Sequence, residues 1–165
     1  MCLFNQRQEE GESLLKSVQD DLPAHAISKS TVAEDYFLGN VDAEGIKTVF
    51  SHLDEDRASI LAKKNELEKV VKKHPKFRTG LLCLAMTWMQ LYRPGEALEI
   101  LKDYYALYPQ DPEANYYLAT LYAQRLHYQK AWDHLKQAEE ITSQKNYHPK
   151  LLKELRKALQ AAFPE

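Results

Sequence analysis

Residues 81–92 read LLCLAMTWMQLY, and no charged side chain interrupts the chain from Thr79 to Tyr92, between Arg78 and Arg93. In a sequence that is 28% charged, such a run has to be explained by its surroundings. It is too short to cross a bilayer, which takes about 20 mostly apolar residues, and Thr87 and Gln90 break its apolarity. A helix that is apolar on every side is normally buried on more than one of them. The spacing therefore predicts a covered helix, and the next step is to find what packs on it.

An internal echo gives part of the answer. When the sequence is slid against itself by 34 residues, Leu84 falls on Leu118, Ala85 on Ala119, Trp88 on Tyr122, Gln90 on Gln124, Ala97 on Ala131, Leu101 on Leu135 and Leu107 on Ile141. Helical amphipathicity alone would align other offsets equally well, so one phase at one spacing points to a repeated unit of two helices. Upstream the echo weakens: Leu67 aligns with Leu101, Val70 with Tyr104 and Pro75 with Pro109, but Lys63 stands where Ala97 should pack.

These residues resemble the tetratricopeptide repeat family, whose 34-residue unit is a pair of antiparallel helices with small side chains where they cross. Residues 78–111 carry Leu84-Ala85, Trp88, Ala97, Leu101 and Pro109, and residues 112–145 carry Leu118-Ala119, Tyr122, Ala131, Leu135 and Ala138. The sequence departs from the family pattern at Leu81 and Asn115 for its frequent Trp, at Ala85 and Ala119 for its Gly, and at Ser143 for its closing Pro. Alanine permits nearly the same helix approach as glycine and costs the helix about 1 kcal/mol less. The resemblance implies a right-handed superhelix of hairpins, with the first helix of each pair lining a concave face.

Local signals agree with this division. Arg93-Pro94-Gly95 breaks one helix, and Tyr108-Pro109-Gln110-Asp111-Pro112 ends another, with Asp111 placed to cap and Pro112 to open the next. Asp42 is placed to cap a helix carrying Ile46, Val49, Phe50 and Leu53, and a second helix is expected from about Arg57 to His74, after the acidic turn Asp54-Glu55-Asp56. Residues 146–165 read as one amphipathic capping helix, with Leu151, Leu152, Leu155 and Leu159 on one stripe and Lys150, Lys153, Glu154 and Lys157 facing water. The expected organisation is an arm at 1–41, partly helical, a degenerate repeat at 42–77, repeats at 78–111 and 112–145, and the cap at 146–165.

Composition supports an all-α chain. Its 165 residues suffice for one domain without a metal or disulfide staple, and its five glycines and seven prolines are few for a strand-rich protein. A net charge of -2 and a pI near 6.3 supply no global field toward nucleic acid or an anionic membrane. Cys2 and Cys83, the only cysteines, lie at the extreme terminus and inside the apolar run, so no disulfide framework is expected. With no apolar signal core in MCLFNQRQEEGE, a reducing, cytoplasmic location is expected.

The resemblance, combined with helix geometry, turns Leu82, Met86, Met89 and Gln90 toward the concavity, and Tyr116, Thr120, Ala123 and Gln124 in the next unit. Covering a Leu or Met fully is worth about 1.5 to 3 kcal/mol, so such a wall calls for an occupant, and methionine adapts to varied ones. Two occupants are open. One is the arm itself, through Leu14, Leu15, Val18 and Leu22 or through Val32, Tyr36 and Phe37, in its own chain or in a self-associated pair. The other is an apolar peptide or amphipathic helix of a partner protein. The family's basic carboxylate clamp is not expected, because Leu82, Met86, Tyr117 and Glu113 hold those places.

The leading expectation is a protein-binding adaptor or scaffold. The layout of arm, few repeats and closing helix also resembles bacterial type III secretion chaperones of translocator proteins, which is the alternative. An RNA-associated repeat protein is third; it rests on Lys69, Lys72, Lys73, His74 and Lys76, which more simply complement a helix dipole. The tyrosines Tyr104, Tyr105 and Tyr108 read as packing with hydroxyls at the rim. No enzyme, cofactor or metal site is expected: His25, His52, His74, His127, His134 and His148 include no pair four apart, Glu139-Glu140 and Asp20-Asp21 read as solvated, and the apolar neighbours of Cys83 blunt it.

Overall fold

The computed structural model describes residues 29–51, 56–143 and 149–164, and among these the chain is all helical. The elements are α1 (Lys29–Phe37), α2 (Ala43–Val49), α3 (Arg57–Lys73), α4 (Arg78–Gln90), α5 (Pro94–Leu107), α6 (Pro112–Gln124), α7 (Tyr128–Ser143) and α8 (Pro149–Ala162). Among the described residues no helix is long and apolar enough to cross a membrane. Leu14, Leu15, Val18 and Leu22 of the expected arm, together with Cys2, Asp20-Asp21, Asp54, Glu55, His25, His52 and His148, lie outside the described residues. The helices group into two compact units, Met1–Ala97 and Leu98–Glu165.

In the first unit α3 packs on α4, α2 sits against both, and α1 packs on α4. Asp42 is the N-cap of α2, its carboxylate accepting from Gly45 N at 2.8 Å. The same carboxylate receives Lys73 Nζ at 2.7 Å from the end of α3, so one side chain both starts a helix and ties it to the next. The Lys73 bond leads the causes that hold the Asp42 pKa down at about 2, and burial opposes it. Asp56 caps α3 through the amides of Ala58 and Ser59.

Lys63, the misfit where the 34-residue echo weakens, is explained by its bonds. Its ammonium donates to Thr48 O, to Ser51 O at 3.1 Å and to Ser51 Oγ at 2.6 Å. Thr48 O lies in the last turn of α2 and Ser51 just beyond its end, where a cation meets the negative end of the helix dipole. Half-buried in this seat, the side chain has its pKa lowered by desolvation, with Cys83 acting in the opposite direction.

In the second unit α6 and α7 lie along each other, and α8 packs on α7 with a smaller contact to α6. Asp111 caps α6 and Pro112 occupies its first turn, as the sequence predicts. The buried face of the hairpin holds Leu118, Ala119, Leu121 and Tyr122 on α6 and Ala131, Leu135 and Ala138 on α7. The cap helix is fixed at its far end, where Trp132 Nε1 donates to Phe163 O at 3.0 Å and Phe163 stacks on Tyr128. Glu139, expected in solvent, is instead half-buried and takes a two-pronged bond from Arg156 Nε and Nη2 at 2.8 and 2.6 Å. Glu140 is exposed as expected.

The 34-residue echo extends to the backbone. At the end of α4, Tyr92 N bonds Met89 O and Arg93 N bonds Trp88 O; at the end of α6, Leu126 N bonds Ala123 O and His127 N bonds Tyr122 O. Both are the paired C-terminal motif that closes a helix with a left-handed residue. Those residues are Tyr92 (φ 58°) and Leu126 (φ 62°), where glycine is the comfortable choice. Both are strongly exposed, at 87% and 70%.

Candidate partner-binding faces of α4 and α6

The eight residues expected to face a partner divide between the two units, four on α4 and four on α6. On α4, Met86 and Met89 are half-buried and Gln90 is exposed, whereas Leu82 is only 1% exposed. Leu82 is therefore core in this conformation and not free surface. On α6, Tyr116, Thr120 and Ala123 are half-buried and Gln124 is exposed. Thr120 Oγ1 turns back to donate to Tyr116 O at 2.9 Å. Desolvation leads in raising the Tyr116 pKa; a weaker contribution comes from the charge of Glu154 on the cap helix. The Leu84-Ala85 pair of α4 and the Leu118-Ala119 pair of α6 are both buried.

The start of α4 carries a polar cluster that sequence reasoning missed. Asp35 of α1 is fully buried, and its Oδ2 accepts from Arg78 N at 3.0 Å while its Oδ1 accepts from Arg78 Nε at 3.1 Å and from Asn40 Nδ2 at 3.1 Å. Arg78 Nη2 donates to Glu34 Oε2 at 2.7 Å and to Thr31 O at 3.3 Å. One carboxylate thus caps an open helix amide and forks with a guanidinium. Burial works against the charge on Arg78, and the bonds to Asp35 and then Glu34 outweigh it, so its pKa stands above the ordinary arginine value. The available signal was Arg78 itself, the last charge before the uncharged run, facing the acidic pair Glu34-Asp35 across 43 residues.

A second network missed from sequence lies in the second unit. Asn115 Nδ2 donates to Pro109 O and Asp111 O, both at 3.0 Å, so its Oδ1 is left to meet His134 Nδ1 at 3.0 Å. The neutral ring must then carry its proton on Nδ1. It stacks on Tyr122 and meets Tyr105 edge-on. Tyr105 Oη donates in turn to Gln137 Oε1. Asn115 thus pins the Pro109–Asp111 turn by hydrogen bonds.

The basic cluster is partly neutralised from within. Lys69 pairs with Glu66 at 2.7 Å, and Lys73 with Asp42 at 2.7 Å and Glu44 at 3.8 Å. His74 Nε2 lies 3.3 Å from Asp42 Oδ1, off the line of a hydrogen bond. Among the described residues no group of three or more His, Cys, Asp or Glu is placed to hold a metal ion. The tyrosines are less peripheral than expected: Tyr104 is buried and its hydroxyl donates to Asp111 Oδ2 at 2.6 Å.

Comparison with known protein families, with curated proteins and with solved structures returns no match to this chain.

Proposed function

We propose that the protein is a helical interaction module of the tetratricopeptide type, and that the outward face of α4 and, separately, that of α6 each offer a strip that binds an apolar peptide or an amphipathic helix of a partner protein. One observation carries the reading. Three of the four pairs of positions 34 apart share their degree of burial: Met86 and Thr120 are half-buried, as are Met89 and Ala123, and Gln90 and Gln124 are exposed, while Leu82 is buried where Tyr116 is half-buried. A repeated, partly covered strip ending in an amide matches groove recognition, in which apolar anchors supply affinity and amides bond the ligand backbone. The superhelical course of the hairpins belongs to this same reading.

The test is capture of a partner from the native host by the full chain, followed by Met86→Glu and, separately, Ala123→Glu. A charge set into an apolar contact leaves it desolvated and unpaired, so each variant should lose capture by about tenfold or more. Undiminished capture by both variants overturns the reading. A captured protein that precipitates when this chain is withheld would mark a chaperone, and one that stays in solution an adaptor.

A further inference from the structure

The turn that joins α6 to α7 gathers basic side chains around one ring. Tyr122 of α6 is only 8% exposed. His127 in the turn meets it edge-on, with 6.2 Å between centroids, and Lys130 Nζ of α7 lies over it at 5.4 Å. Lys102 joins them from α5. Its bond to Glu99 leads in raising its pKa, Tyr122 adds to that, and the charge of Arg125, the C-cap of α6, opposes it, so the ammonium stands within electrostatic reach of both. Lys102 already has its acid, Glu99 at 2.7 Å. Among the described residues, the side chains of Arg125, His127 and Lys130 form no ion pair or hydrogen bond, and all three are exposed. Asp133 on α7 is engaged by Gln129 at 3.1 Å. Between Arg125 and His127 stands Leu126, 70% exposed on a left-handed backbone. It stabilises the fold neither by burial nor by backbone preference, which points to a contact outside the chain.

We infer that this turn is a docking site for an acidic peptide segment of another protein, whose carboxylates meet Arg125 and Lys130 and whose apolar side chains cover Leu126. The site uses none of the residues of the two strips proposed above and goes beyond that reading. Charge complementarity names the occupant. Three positive groups gathered at one end of a hairpin repel one another, and a carboxylate set among them offsets that repulsion and gains charge-assisted bonds from the guanidinium. The lysines of α3 differ, because Lys69 and Lys73 are already matched by Glu66 and Asp42. Nucleic acid fits the turn less well. Single strands bind by stacking bases on open aromatic faces, and the ring at the centre of this group is covered, with His134 stacked on it as well. A phosphate backbone would also leave Leu126 without an apolar contact, whereas a peptide supplies one beside its carboxylates.

The experiment uses the full chain and two short synthetic peptides of equal length, one alternating glutamate with leucine and the other lysine with leucine. Binding is followed by amide chemical shifts of the chain and by fluorescence anisotropy of the labelled peptide. The acidic peptide should shift the amides of Lys102 and of residues 125–130, and should bind about tenfold more tightly than the basic one, with the difference narrowing as salt rises. Arg125→Glu combined with Lys130→Glu should reverse that order. Leu126→Ser should weaken the acidic peptide about tenfold through the lost apolar contact, with the far-ultraviolet circular dichroism unchanged. If the double variant fails to fold, Lys130→Gln alone supplies the measurement, with a smaller loss of the acidic peptide and none of the basic one. Equal binding of the two peptides, an order that survives the charge reversal, or shifts confined to the strips of α4 and α6 overturns the site. Poly-uridine RNA that binds the turn more tightly than the acidic peptide overturns the peptide as occupant, and so does inorganic phosphate that displaces it at equal concentration. The peptides report on this turn alone, so the site can fail while Met86→Glu still abolishes capture, and the two readings fall separately.

Discussion

A left-handed backbone suits glycine, and yet Tyr92 and Leu126 adopt it with side chains mostly in solvent. For an L-residue that conformation costs about 1 to 2 kcal/mol, and exposure recovers little of it by burial. Tyr92→Gly and Leu126→Gly should each stabilise the chain by about 1 kcal/mol, after allowing for the extra freedom of an unfolded glycine, seen as a higher urea midpoint. Gly80 behaves oppositely. A Cβ there would lie 2.8 Å from Cδ1 of the fully buried Phe77, and overpacking of about 1 to 3 kcal/mol outweighs a helix gain of about 1. Gly80→Ala should lower the same midpoint. His134 makes the chain sensitive to mild acid. Burial, aided by Lys130 and opposed by Asp133, lowers its pKa from the ordinary value. The unfolded ring therefore binds a proton first as pH falls. Its contribution to stability is complete above about 6.5 and is lost as pH falls through the lower folded value. His134→Gln should flatten the dependence of the urea midpoint on pH in that window.

Helix ends were the most legible elements, because capping is chemistry between neighbours in sequence. Asp42, Asp111 and Pro112 fall where their side chains predict, and the helix expected from about Arg57 to His74 runs Arg57–Lys73 with His74 as its C-cap. The broken pattern at Lys63 was legible only as a misfit, since its partners, the last carbonyls of α2, are 12 and 15 residues away. The clasp on α1 was legible only as a lone arginine at the edge of the uncharged run, because ion pairing across 43 residues leaves no local period. Asp42 allows an element-scale prediction. Its folded pKa of about 2 lies below the usual carboxylate value, so its stabilising effect is present above about pH 3.9 and is lost as pH falls through about 2. Asp42→Ala should cost about 1 kcal/mol at neutral pH through the lost cap, with little more from its exposed pair with Lys73. The difference between variant and natural chain should shrink in strong acid.

For the molecule as a whole, the all-helical class follows from sparse turn formers and helical spacing, and among the described residues the regular elements are all helices. The strips proposed to face a partner were chosen from residue types, and their exposures could not be read from the sequence. Leu82 carries the same apolarity as Met86 but is buried, and nothing within residues 81–92 separates the two. A near-neutral chain with internally paired lysines should capture an apolar partner with only shallow salt dependence, whereas nucleic acid would be released steeply as salt rises.

The chain's two indoles fall one to each unit, Trp88 on α4 beneath Lys64 and the more deeply buried Trp132 on α7 beneath Arg156. Each unit thus carries its own intrinsic fluorophore. Trp88→Phe leaves an emission that reports the seating of the cap helix alone, and Trp132→Phe leaves one that reports the α3 and α4 pair. Two single-colour variants, excited at one wavelength, can follow the melting of each half without any attached dye.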